Sequence, residues 1–181
     1  MNILIPIAGE DRFFKPEDYF FPKPLVDIAG TPMIELCIRA LVRQFPAAHF
    51  IFVVQNEHCT KYSLDGMLRI LTNDRCTIVR LNQATKGALC SALLAIDDIP
   101  PDEPLAIVNG DQIIDADLGA LVARIEAQGH DAAVVTFESL HPRWSFVNVD
   151  QDGFVCEAAE KRVIILRSQH AVERFLRDAR T

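Results

Sequence analysis

Four short groups of residues carry side chains able to handle phosphate, metal or a heterocyclic base. Ala8-Gly9 is followed by Arg12 and Lys23. A glycine lets backbone amides approach a phosphate, and the two cations can neutralise one. Asn109-Gly110-Asp111 stands directly after an apolar run. A carboxylate there suits Mg²⁺, which takes one or two carboxylates together with substrate phosphates. Asn82-Gln83-Ala84-Thr85-Lys86-Gly87 offers side-chain and backbone amides to a nucleobase, and Glu160-Lys161 is a charged pair after a strand-like run. Each group also has a plain structural reading: solvated cations, an Asx turn or N-cap at Asp111, a capped loop at 82–87, a solubilising pair at 160–161. Taken singly, the groups leave both readings open.

Other residue types narrow the field. The five histidines (His49, His58, His130, His141 and His170) show neither metal-ligand spacing nor a nucleophile partner. Trp144 could stack on a sugar, although packing within the fold is the simpler reading. The five cysteines (Cys37, Cys59, Cys76, Cys90 and Cys156) are scattered, odd in number and free of any CxxC pair. They suggest neither a disulfide framework nor a zinc knuckle. Cys37 and Cys90 fall in apolar helical stretches and are expected to be buried thiols. A net charge of -7 leaves no basic excess to replace phosphate counterions, which argues against a nucleic-acid partner. The N-terminal run lacks a basic flank, and no stretch approaches the ~20 apolar residues of a membrane span. A cytoplasmic protein with no membrane partner is the expectation.

The elements that must position these groups alternate between strand and helix, the signature of an α/β fold with a mainly parallel sheet. Asn2–Ile7 reads as a buried first strand, and 8–24 as a long polar loop carrying Pro16, Pro22 and Pro24. Thr31-Pro32 reads as an N-cap followed by proline at the first helical position. The helix then continues through Met33, Ile34, Cys37, Ile38, Leu41 and Val42 at 3.6-residue spacing. Phe50–Val54, Thr77–Leu81 and Leu105–Val108 read as further strands. A weaker helix at 58–72 is interrupted by Gly66, Lys86–Ile96 is a helix, and Asp115–Gln128 is a helix closed by Gly129. From Asp131 the pattern changes to Ala132–Phe137, Phe146–Val149, Phe154–Ala158 and Arg162–Leu166, all strand-like. Asp152-Gly153 marks a hairpin between two of them. The fold class expected is Rossmann-like and doubly wound: a mixed, mainly parallel sheet with helices on both faces and a small antiparallel addition toward the C-terminus. One domain spans 1–181, with a nucleotide-binding core at 1–130, an added part at 131–166 and a tail at 167–181 read as an amphipathic helix.

The order of the groups carries more than any one of them. Leu4-Ile5-Pro6-Ile7-Ala8-Gly9, Arg12-Phe13, and Pro22-Lys23-Pro24-Leu25-Val26-Asp27-Ile28-Ala29-Gly30-Thr31-Pro32-Met33-Ile34 resemble the opening of sugar-phosphate nucleotidylyltransferases. Gln83 with Lys86-Gly87-Ala88, then Val108-Asn109-Gly110-Asp111, then Glu160-Lys161 match later motifs of that family in order. The resemblance covers residues 2 to about 164. It implies Mg²⁺-dependent attack of a sugar 1-phosphate, or a similar phosphate acceptor, on the α-phosphorus of a nucleoside triphosphate, with pyrophosphate leaving. It further implies that Ala8 and Gly9 approach the phosphates, Arg12 holds the leaving pyrophosphate and Lys23 stabilises the α-phosphate. Asp111 would hold Mg²⁺, Asn109 would bind substrate, Gln83 and Gly87 would read the base, and Glu160 and Lys161 would face the sugar and its phosphate. The resemblance also implies a place in nucleotide-sugar and surface-polysaccharide biosynthesis, and a homo-oligomer is compatible with it.

Two departures keep a second class of function open. Where the family has another glycine and a small hydroxyl residue before the arginine, this chain has Glu10-Asp11, one residue shorter. Negative charge beside a triphosphate opposes binding unless a cation lies between. The similarity also fades after Ile164, so the chain is expected to fall short of the family at its C-terminus, without the second metal-binding aspartate. A catalytically inactive relative that binds nucleotide or sugar phosphate, or serves in assembly, is the alternative. A glycosyltransferase is a third reading, resting on Asp115-Ala116-Asp117, which has the D-x-D spelling but opens a helix.

Overall fold

The computed structural model describes residues 1–9, 19–83, 85, 87–139, 141 and 144–160, and the backbone of 170–176. Its centre is a run of parallel strands in the order β5–β4–β1–β6, formed by β1 (Asn2–Pro6), β4 (His49–Gln55), β5 (Cys76–Leu81) and β6 (Leu105–Ile107). β1 and β4 are apolar at every central position because both sheet faces are covered. Side-chain alternation then divides them between two layers. Ile3, Ile5, Phe50, Phe52 and Val54 face α1 (Met33–Gln44), α3 (Leu64–Leu71) and the start of α5 (Leu118–Gln128). Leu4, Ile51 and Val53 face α4 (Ala88–Leu93) and Ala95 on the other side. Helices on both faces of a parallel sheet are the doubly wound arrangement expected from the sequence.

The antiparallel addition is present, and its completion corrects the reading of the tail. β7 (Ala132–Glu138), β8 (Phe146–Val149) and β9 (Val155–Ala159) are strands, with β8 and β9 joined through Asp150, whose carboxylate accepts from the Asp152 and Phe154 N–H groups. Gly153, at φ +88°, supplies the left-handed residue of that turn. Residues 170–176, expected to be helical, instead form β10 (His170–Leu176), pairing antiparallel with β6, β7 and β8. Seven residues of local pattern cannot outweigh the ladder that β7 offers along its whole length, from Glu138 opposite His170 to Ala132 opposite Leu176. The expected strand at 162–166 lies outside the described residues.

Smaller differences have local causes. Thr31 is not the N-cap, nor Pro32 the first helical residue: the two form β3 (Thr31–Pro32), paired with β2 (Asp27–Ile28) across a two-residue turn with Ala29 at φ +54° and Gly30 at φ +86°. Two positive φ values in succession match the twist of a hairpin, and the Asp27 carboxylate accepts from the Gly30 N–H. Pro32 therefore stands at the N-cap of α1, and the Met33 N–H donates to the Val26 carbonyl. The 58–72 region is two helices, α2 (Asn56–Tyr62) and α3, broken at Ser63 (φ +53°) and not at Gly66, which lies inside α3. The break turns Leu64 and Leu68 into the core. α4 is shorter than expected, and Cys90 on it is exposed, because Ser91, Ala92 and Ala95 are the residues that meet the sheet. Cys37 is buried, as expected. Trp144 packs with Phe146 and lies edge-on to Phe137. Among the described residues, no helix is long and apolar enough to cross a membrane.

Candidate functional site

Parallel pairing brings the C-terminal ends of β1, β4 and β6 to one edge of the sheet, where open α/β sheets place their ligands. Ala8-Gly9 continues from β1, Gln55 ends β4 and Asn109-Gly110-Asp111 follows β6. The β1–β6 register, Leu4 opposite Ile107, carries forward so that Gly110 lies against Ile7. That contact is tight. A Cβ at Gly110 would stand 2.4 Å from Ile7 Cγ2, 3.1 Å from Ile34 Cδ1 and 3.3 Å from Ile5 Cγ2. Gly110 is not among the positive-φ glycines, so space, not backbone angle, selects glycine there. The sequence motif is thus a packing device that seats Asp111 against the end of β1.

Asp111 meets the second predicted residue directly. Lys23 Nζ lies 2.5 Å from Asp111 Oδ2, with the two side chains 29 % and 35 % exposed. Lys23 opens a single 3₁₀ turn, Lys23–Leu25, whose Pro24 and Leu25 anchor it against the core. Asn109 points its amide at its own loop, donating to Gln112 Oε1 at 2.5 Å. Beneath Asp111, burial and then the Asp111 charge push the Cys37 thiol up to about 11. That thiol stays protonated at neutral pH and is no nucleophile.

The loop after β5 joins the same edge. Gly9 and Thr85 form an isolated parallel bridge, bringing the predicted base-reading segment beside the predicted phosphate loop. The Thr85 and Ser91 hydroxyls share a 2.6 Å hydrogen bond, and Ser91 is buried. Gln83 is exposed in this loop and Gly87 stands at the N-cap of α4. Glu160 follows β9 at the surface. Arg12 and Lys161 lie outside the described residues. Gln55, Ser91 and the packing role of Gly110 were not singled out by sequence reasoning, and Thr85 was marked only as part of the 82–87 segment. A polar residue ending a wholly apolar strand was the available signal for Gln55. Asp117 is occupied as the cap of α5, its Oδ1 accepting from the Ala120 N–H at 2.9 Å, which gives the Asp115-Ala116-Asp117 spelling a structural task.

The profile of the MobA-like NTP transferase domain matches residues 16–177, nearly the whole chain. The chain belongs to this family. The MobA-like fold is shared with solved structures of low sequence identity. A nucleoside-diphosphate-sugar pyrophosphorylase from Vibrio cholerae RC9 superposes with a TM-score of 0.75 at 21 % identity, over 97 % of this chain and 73 % of that one. A UDP-glucose pyrophosphorylase complexed with UDP-glucose gives 0.75 at 17 %, over 98 % and 75 %. HddC from Yersinia pseudotuberculosis complexed with GMP-PN gives 0.67 at 19 %, over 94 % and 72 %. Family membership supports nucleotidyl transfer as the general chemistry of a MobA-like domain, and the solved structures show its fold. The donor set at Asp111 fits Mg²⁺ in one way only. Among the described residues, no three His, Cys, Asp or Glu side chains cluster to hold a metal ion. A lone, partly exposed carboxylate instead suits an ion whose remaining ligands are substrate phosphates and water.

Proposed function

We propose that the chain is a sugar-phosphate nucleotidylyltransferase. An oxygen of a sugar 1-phosphate, or of a similar phosphate acceptor, bonds to the α-phosphorus of a nucleoside triphosphate. The bond from that phosphorus to the bridging oxygen breaks, and pyrophosphate leaves with the electron pair. The attacking oxygen is already anionic, so the protein need supply no base. Positioning and charge neutralisation are the whole task.

The observation that supports this reading best is the Lys23–Asp111 pair, whose Asp111 follows Gly110 where that residue packs on Ile7, just before Ala8-Gly9. A cation and a carboxylate are what a metal-bound triphosphate requires. With triphosphate bound, Lys23 would pair with an α-phosphate oxygen in place of Asp111, and Asp111 would be the residue that holds Mg²⁺. Mg²⁺, when bound with the triphosphate, neutralises charge on the phosphates. Ala8 and Gly9 approach those phosphates, with Arg12 assigned to the leaving pyrophosphate. Gln83 and Gly87 face the base, Asn109 holds the turn that presents Asp111, and Glu160 and Lys161 serve the sugar and its phosphate. The nucleotide and nucleotide-sugar ligands of the structural neighbours are consistent with these substrates.

The test is pyrophosphate release with Mg²⁺, each nucleoside triphosphate and a panel of sugar 1-phosphates. Release should require one pair of substrates and fall at least about 10²-fold in Asp111→Asn, the scale of losing one electrostatic stabiliser of a transition state. A second reading rests on Glu10-Asp11, two carboxylates beside the phosphate loop. A binding module of that kind would take up triphosphate and release no pyrophosphate from any pair.

A further inference from the structure

Packing holds Ala8, which is fully buried with Leu4, Ile51 and Val53, but it does not reach Gly9. Gly9 is exposed, and a Cβ there would meet nothing within 4 Å. Besides the backbone bridge from Gly9 to Thr85, the side chain that reaches this end of the loop is Gln55. It is the last residue of β4, its backbone register is fixed opposite Leu81, and its side chain is half-buried. Its Nε2 donates to the Ala8 carbonyl at 3.2 Å and to the Gly9 carbonyl at 3.4 Å. A primary amide has two hydrogens on one nitrogen, so a single side chain can engage both carbonyls.

The consequence follows from peptide geometry. The Ala8 carbonyl and the Gly9 N–H belong to one peptide unit, and no cis peptide bond is present. In a trans unit the two groups point in opposite directions. A carbonyl drawn toward Gln55 therefore turns the Gly9 N–H away from it. The Gly9 N–H is the donor that the proposed phosphate site needs, and carbonyl oxygens facing a triphosphate would repel it. We infer that Gln55 is a positioning residue for the triphosphate: it holds the Ala8 and Gly9 carbonyls aside so that the loop presents N–H groups to the phosphates. This inference rests on the proposed function, and it adds the residue that orients the loop.

Two variants test it. Gln55→Met keeps the length of the side chain and removes both donors. Gln55→Glu keeps the shape but faces two carbonyls with an acceptor-only carboxylate. Calorimetric titration of wild type and variants with each of the four ribonucleoside triphosphates and Mg²⁺ reads binding without requiring turnover. The expected result is an affinity loss of roughly fivefold in Gln55→Met, the scale of one or two neutral hydrogen bonds, and a larger loss in Gln55→Glu. The thermal midpoint of the ligand-free Met variant should stay within about 3 °C of wild type. In turnover, KM for the triphosphate should rise while KM for the sugar 1-phosphate does not. Unchanged triphosphate affinity in Gln55→Met overturns the inference alone, as does a rise of both KM values together. A wild type that binds no triphosphate overturns the proposed function and this inference with it.

Discussion

Replacing Gly110 by alanine places a methyl group where there is no room. Its nearest neighbour would be Ile7 Cγ2 at 2.4 Å, with Ile34 Cδ1 at 3.1 Å and Ile5 Cγ2 at 3.3 Å. Ile5 and Ile34 are fully buried, and Cγ2 of a β-branched side chain moves only with its χ1 or its backbone. Relief must therefore come from the 109–111 loop or from β1 itself. Overpacking of this kind costs about 1–3 kcal/mol. For a chain of this size that corresponds to a fall of roughly 2–12 °C in thermal midpoint, readable by calorimetry. Movement of the loop also displaces Asp111 from Lys23, and a misplacement near 1 Å is enough for about a 10²-fold loss of pyrophosphate release. A double-mutant cycle isolates the cause. Ile7→Ala removes the offending methyl, so the Gly110→Ala/Ile7→Ala pair should be more stable than the sum of the single losses by about 1 kcal/mol or more. Additive losses, or a Gly110→Ala protein with unchanged midpoint and activity, would refute the argument that space selects this glycine.

Lys23→Ala should leave the thermal midpoint within about 3 °C, since a partly exposed pair contributes some 0–1 kcal/mol, while pyrophosphate release falls sharply. A stability loss without an activity loss would make the pair merely structural. Asp117→Ala removes the cap of α5 and should lower stability by about 1 kcal/mol with activity retained. Loss of activity in a folded Asp117→Ala protein would favour the glycosyltransferase reading of Asp115-Ala116-Asp117. The Cys37 thiol, raised from 9.0 to about 11 by burial and by Asp111, binds its proton more tightly folded than unfolded. Its contribution is complete below about pH 9 and is lost as pH rises toward 11, on the order of 3 kcal/mol in all. The difference in stability between wild type and Cys37→Ala should shrink across that window in urea titrations. A constant difference would mean that the thiol does not titrate as described.

What the sequence determined by itself was whatever depends on neighbours along the chain. Apolar runs at Asn2–Ile7, Phe50–Val54 and Leu105–Val108 are complete statements of strands buried on two faces, and Asp152-Gly153 encodes its own turn. The motifs after those strands could be placed at the sheet edge because parallel connections send every strand the same way. What only the tertiary structure decided was each feature set by a partner remote in sequence. Residues 170–176 have a local pattern that suits a helix, and the open ladder of β7 made them a strand. Cys90 became exposed because small residues, not the thiol, fit against the sheet. Lys23 and Asp111 were separate candidates in sequence; the β1–β6 pairing and the Gly110–Ile7 contact joined them into one ion pair. Gln55 had no motif to mark it, since its meaning lies in two carbonyls of the loop that follows β1. Local periodicity records which face a residue turns to the core, but a hydrogen bond or a close contact between distant segments exists only once the sheet has aligned them.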